Sequence, residues 1–146
     1  MLEECLRKHD MDISLLQVVT TENITFKGYQ TLLNIGTTAR GTSIMAKVDL
    51  PLHGVDRIIS GRGLVAYYGN ICILNVYAPS GTSNKTDRKA FFNTEILDLI
   101  PHVPTELIKA GDFNCVLSNS DCTRHRPSGR ASERLIRGLP LLGVWD

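Results

Sequence analysis

The chain has 146 residues, 42% of them hydrophobic and 21% charged, with a formal net charge of +1 at pH 7. That length suits about one domain with a real core, and its apolar content excludes a disordered chain. The balanced charge gives no general pull toward nucleic acid, and no apolar run approaches the roughly 20 residues that a membrane helix needs.

The first element is charged and helix-like, "MLEECLRKHDMD", with Leu2, Cys5 and Leu6 as an apolar stripe at helical spacing and no capping residue before it. It contains no apolar core of a secretory signal. "DISLLQVV" then reads as a buried strand ending near Gln17, and "TTENITFKG" as a loop. "YQTLLNI" and "TSIMAKV" read as two strands joined by a Gly-flanked turn, and "VDRIIS" and "RGLVAYY" as further strands. Gly69-Asn70 is a tight-turn signal, after which "ICILNVYA" returns as the second strand of a hairpin and stops at Pro79. The clearest helix lies in "NKTDRKAFFNTEILDLI", capped by Ser83 or Asn84, with Phe92, Ile96 and Leu99 on one face. "ELIKA" is a strand leading into Gly-Asp-Phe-Asn. "SERLIRGL" reads as a short helix, and the chain reaches "LLGVWD" without a repeat or linker. Hairpins exclude an all-parallel sheet and favour mixed sheets covered by helices.

Four cysteines (Cys5, Cys72, Cys115, Cys122) form no C-x-x-C pair. They read as reduced thiols, the usage of a nuclear or cytoplasmic protein. Cys115, Cys122 and His125 lack an evident fourth zinc ligand, and His9, His53, His102 and His125 read as ordinary surface or structural residues.

Three strand ends run from apolar into polar residues, around Gln17, Tyr77 and Asp112-Phe113-Asn114. Strand-end loops are where sites are assembled on rigid scaffolds. Taken singly, Tyr77 reads as a core-edge aromatic and Asp112 with Asn114 as a turn, since both residue types bond nearby backbone. As an ordered set, "LRKHDMDISLLQ", "GYQTLLN", "ARGTSIMAK", "GRGLVAYYGNICILNVYAPS", "GDFN" and "LLGVWD" resemble the endonuclease/exonuclease/phosphatase superfamily. Within it they look most like the apurinic-endonuclease-like domain of non-LTR (LINE-type) retrotransposons. The resemblance runs over essentially the whole chain.

The resemblance implies a four-layer α/β sandwich of two mixed β-sheets flanked by helices, hydrolysing DNA phosphodiesters with Mg²⁺ or Mn²⁺. Carried over by matching residue, Asp112 would orient or deprotonate the attacking water or stabilise the leaving oxygen. Asn114 would donate to the scissile phosphate, and Tyr77 would hold a phosphate oxygen. Phosphoryl transfer suits such residues, because it needs positioning and charge neutralisation more than covalent chemistry. The chain departs from the pattern at Val18, which stands where the family carries its metal-ligand Glu, and a Val offers no hard oxygen. The family's first strand would precede Met1, and its Asp-His strands would follow Asp146. Residues 1–146 are therefore expected to be a partial domain, inactive as it stands, whose parent acts on DNA beside a downstream reverse transcriptase. Alternatives are another phosphoesterase of the superfamily (a DNA-repair endonuclease, an exonuclease or a phosphoinositide phosphatase), or a domesticated, non-catalytic nucleic-acid-binding module. Residues 124–137 hold five arginines and one Glu. Arg124, Arg126 and Arg130 are candidate contacts to the DNA backbone, weighed against a solvated loop.

Overall fold

The computed structural model describes residues 2–37, 40–81, 84–100 and 106–114. Helix α1 (Leu2–Lys8) leads into β1 (Ile13–Val19), followed by β2 (Tyr29–Asn34), β3 (Gly41–Lys47), β4 (His53–Arg57), β5 (Gly63–Tyr68) and β6 (Ile71–Tyr77). A helical stretch comes next, as α2 (Lys85–Ala90), a π-helical turn (Phe91–Glu95) and α3 (Ile96–Leu99), before β7 (Glu106–Asp112). The helix expected in "SERLIRGL" and the Arg-rich stretch lie outside the described residues.

Two sheets form. The first is antiparallel, in the order β1-β3-β2. The second has the order β4-β5-β6-β7 and is mixed, because β6 and β7 run parallel. Strands β5 and β6 are buried over most of their length because both faces are covered, which explains their nearly unbroken apolar sequence. Leu64, Ala66 and Ile73 face Ile44, Ile13, Leu15 and Leu32 of the first sheet. From the other face Val65, Cys72, Leu74 and Val76 meet Phe91, Phe92, Ile96 and Leu99 of the helical stretch. Sheet packed on sheet with a helical layer outside is the expected α+β sandwich, except that the first sheet is antiparallel among the described residues rather than mixed.

Local details differ from the sequence reading. The α1 stripe buries only Leu6, while Cys5 is exposed. Asn84 occupies the N-cap position, but its amide donates to the Ser80 carbonyl at 2.7 Å and caps nothing. Strand β4 starts earlier than expected and ends at Arg57, because Ile58 N donates to Gly63 O and Gly61 N to Ile58 O, turning the chain.

Lys109 shares the helix-side face of β7 with Leu107 and pairs in register with Leu74. Its Nζ is buried, with no hydrogen-bond partner among the described residues. Burial pushes its pKa down from 10.5 to about 8. The charged ammonium therefore opposes folding fully below about pH 8, and the cost vanishes as both states lose the proton toward pH 10.5. Lys109→Met is expected to stabilise the fold by about 1 kcal/mol at neutral pH, a figure reduced for the side chain's partial exposure. Urea unfolding of both proteins at about pH 7 and about pH 9.5 should show that advantage shrinking at the higher pH.

Candidate active site

The parallel register of β6 and β7 pairs Tyr77 with Asp112, so both side chains leave the same face at one rim of the sandwich. That face also carries Ile73 and Asn75, and it looks toward the first sheet. Past this pair the chain crosses over: Ala78 N donates to Asp112 O at 2.8 Å, and Asn114 Nδ2 donates to Ala78 O at 2.7 Å. Asn114 is left-handed (φ 47°), and its backbone N–H donates to Asp112 Oδ1 at 2.9 Å. The GDFN segment is thus an Asx-type turn that presents an exposed carboxylate, and the turn reading and the site reading describe one object. Phe113 anchors the turn by stacking on Phe92, with ring centroids 6.1 Å apart.

Gly111 lets the two strands meet closely here. Its φ is +133°, and a Cβ would lie 2.0 Å from the Val76 carbonyl oxygen. On the other side Arg62 brackets Tyr77. Its carbonyl accepts from Tyr77 N at 2.8 Å, its Nη1 donates to Tyr77 O at 3.2 Å, and its guanidinium lies 5.0 Å above the ring. Arg88 holds the following loop, donating to Pro79 O and Gly81 O. Neither arginine was distinguishable in the sequence from any other surface cation.

Asn75 joins the two sheets. It is 0% exposed, accepts from Gln17 Nε2 at 2.7 Å, and donates to Leu16 O at 2.9 Å and Ser43 O at 2.8 Å. One amide thereby holds the end of β1 against β6. The signal available in the sequence was a lone Asn inside an otherwise apolar strand, which fits a buried residue only if it is fully bonded.

Val18 lies immediately beyond Gln17. The β1–β3 register breaks between Gln17 and Val19, and Val18 takes φ 62° with 38% exposure. A β-branched residue in the left-handed region is a true outlier, and strained bulges gather where a side chain is being aimed. Here the bulge aims an isopropyl group.

Among the described residues, the donors at this rim do not suit a resident divalent metal. Val18 has no oxygen, Gln17 offers only a neutral amide oxygen while its Nε2 is held by Asn75, and Asp112, one of whose oxygens accepts from backbone, is the one carboxylate of the three. Among the described residues no three His, Cys, Asp or Glu side chains gather into a metal-binding group. The candidate DNA contacts Arg124, Arg126 and Arg130 lie outside the described residues.

Two face-to-face sheets with a helical layer outside, and strand-end loops converging on one rim, make up the fold. Solved structures share it. An AP endonuclease from Archaeoglobus fulgidus matches with a TM-score of 0.74 and 17% identity over 94% of this chain and 64% of that one. Truncated Caenorhabditis elegans TDP2 matches with a TM-score of 0.59 and 17% identity over 86% of this chain and 57% of that one. ANGEL2, a 2',3'-cyclic phosphatase, gives a TM-score of 0.54 and 17% identity over 79% of this chain and 42% of that one. The chain therefore spans less than two thirds of each. No protein-family model and no curated protein matches the sequence. No helix among the described residues is long and apolar enough to cross a membrane.

Proposed function

We propose that the rim formed by Tyr77, Asp112 and Asn114 receives a DNA phosphodiester, in a portion of an endonuclease domain of the non-LTR retrotransposon type. The observation that carries this is the pairing of Tyr77 with Asp112, locked by the Asn114 turn beside the bulge at Val18. The Tyr77 hydroxyl and the second N–H of the Asn114 amide are donors for phosphate oxygens, and the Asp112 carboxylate is an acceptor for a proton from water. The sequence resemblance supports the retrotransposon origin, and with it a reverse transcriptase as partner in the parent polyprotein. The superfamily's other DNA-repair and phosphatase activities form the second reading, favoured by the likeness to an AP endonuclease and to the cyclic phosphatase ANGEL2.

Hydrolysis is expected to be absent, because Val18 cannot anchor the Mg²⁺ or Mn²⁺ that the family's chemistry calls for. Supercoiled plasmid incubated with the protein and Mg²⁺ should remain unnicked. Metal-dependent nicking that is lost in Asp112→Ala would overturn the inactive reading and establish the phosphodiesterase. Val18→Glu supplies the missing carboxylate on the strained bulge and is expected to tighten Mn²⁺ binding by about tenfold or more, read by calorimetry. Unchanged affinity would show that the bulge does not aim its side chain at a metal position.

A further inference from the structure

We propose that the turn between β4 and β5 is a rigid prong whose Ile59 side chain inserts between stacked base pairs of duplex DNA. This rests on the reading of the rim as a DNA phosphodiester site, and adds to it how the duplex is held and distorted. Ile59 is 93% exposed, far beyond the next most exposed large hydrophobic among the described residues, Val48 at 64%. A single exposed aliphatic on a mobile loop would need no explanation. This loop is held tightly. Asn34 Nδ2 donates to both Ile58 O and Gly63 O at 2.8 Å, Thr42 Oγ1 donates to Gly61 O at 3.1 Å, and Ser60 Oγ donates to Glu95 Oε2 at 2.9 Å. Gly36 lies against Ser60 so closely that a Cβ there would be 2.0 Å from its carbonyl oxygen. Bonds from β2, β3 and the π-helical turn thus fix a backbone whose tip projects an isoleucine into solvent.

The prong stands at the site rim. Its C-terminal foot is Arg62, which contacts Tyr77 through its backbone and its guanidinium. Arg57 and Arg62 flank the tip, Arg40 directly precedes β3 at the same end, and Arg88 donates to the loop after β6; Asp56, Glu95 and Asp112 are acidic residues of the same elements. Of the five arginines among the described residues, only Arg7 lies elsewhere, in α1 near Tyr29. Arginines beside an aliphatic wedge match a duplex, where cations grip phosphates and the wedge unstacks a base step. Single strands are instead held on open aromatic platforms, and here the Tyr77 ring is already covered by Arg62.

The test uses duplexes carrying 2-aminopurine at successive positions, titrated with the protein in EDTA so that cleavage plays no part. Fluorescence is expected to rise several-fold at one or two positions. Ile59→Leu should retain that rise and Ile59→Ser should abolish it, while affinity falls by no more than about tenfold because the phosphate contacts persist. An equal rise with Ile59→Ser, binding without any rise, or binding only to single strands or RNA would overturn the proposal. Because the readout needs no metal, absent nicking leaves the prong standing. Asp112-dependent nicking with no unstacking would remove the prong alone. The exposure of Ile59 means that neither substitution disturbs the core.

Discussion

Gly111→Ala is expected to destabilise the protein by at least about 3 kcal/mol, and so to leave little folded population in a small domain. Two independent effects act at this residue. Its φ of +133° lies where an L side chain is strained, and a Cβ would sit 2.0 Å from Val76 O and 2.8 Å from Val76 N. The atoms in the way belong to backbone, so no rotamer change relieves them. Separation of β7 from β6 would relieve them, at the expense of the pairing that sets Tyr77 beside Asp112. Urea unfolding, followed by far-UV circular dichroism, measures the loss. A cost under about 1 kcal/mol would mean that the strands do not approach this closely.

Asn75→Leu should be nearly as damaging, at about 3–4 kcal/mol, although it enlarges the apolar core. The substitution takes the Asn75 donor from Leu16 O and Ser43 O between the sheets and leaves the part-buried Gln17 amide only its bond to Leu15 O. Each orphaned buried group costs about 1–3 kcal/mol, and a leucine of similar volume satisfies none of them. The β1 end would lose its tie to β6, so hydrogen exchange at Gln17 and Val18 should accelerate more than exchange at Ile44 or Leu64. Uniform acceleration across both sheets would instead describe a general core residue. A stabilised variant would show that the amide does not pin the sheets.

Much of the fold was legible because it rests on local rules. The apolar runs of β5 and β6 marked strands covered on both faces. Gly69-Asn70 marked the hairpin that closes them, with Gly69 at φ 56° as a tight turn requires. Phe92, Ile96 and Leu99 marked the helix face that packs on them. The helix also contains a π-helical turn at Phe91–Glu95, which no spacing announced. Asp112 and Asn114 were legible as a polar break after an apolar strand, and Val18 as an apolar residue where the resemblance calls for an acid.

Which segments become strands and helix, which faces are apolar and which residue types end the strands were all readable locally, since each depends on neighbours within a few positions. Tertiary structure alone decided that Arg62 covers Tyr77, that one Asn75 amide bridges two sheets, and that Asn34 and Thr42 brace the loop bearing Ile59. These pairings join residues from 15 to 59 positions apart. A polar side chain carries no mark of its partner until burial removes water and obliges it to bond whatever the fold has brought near.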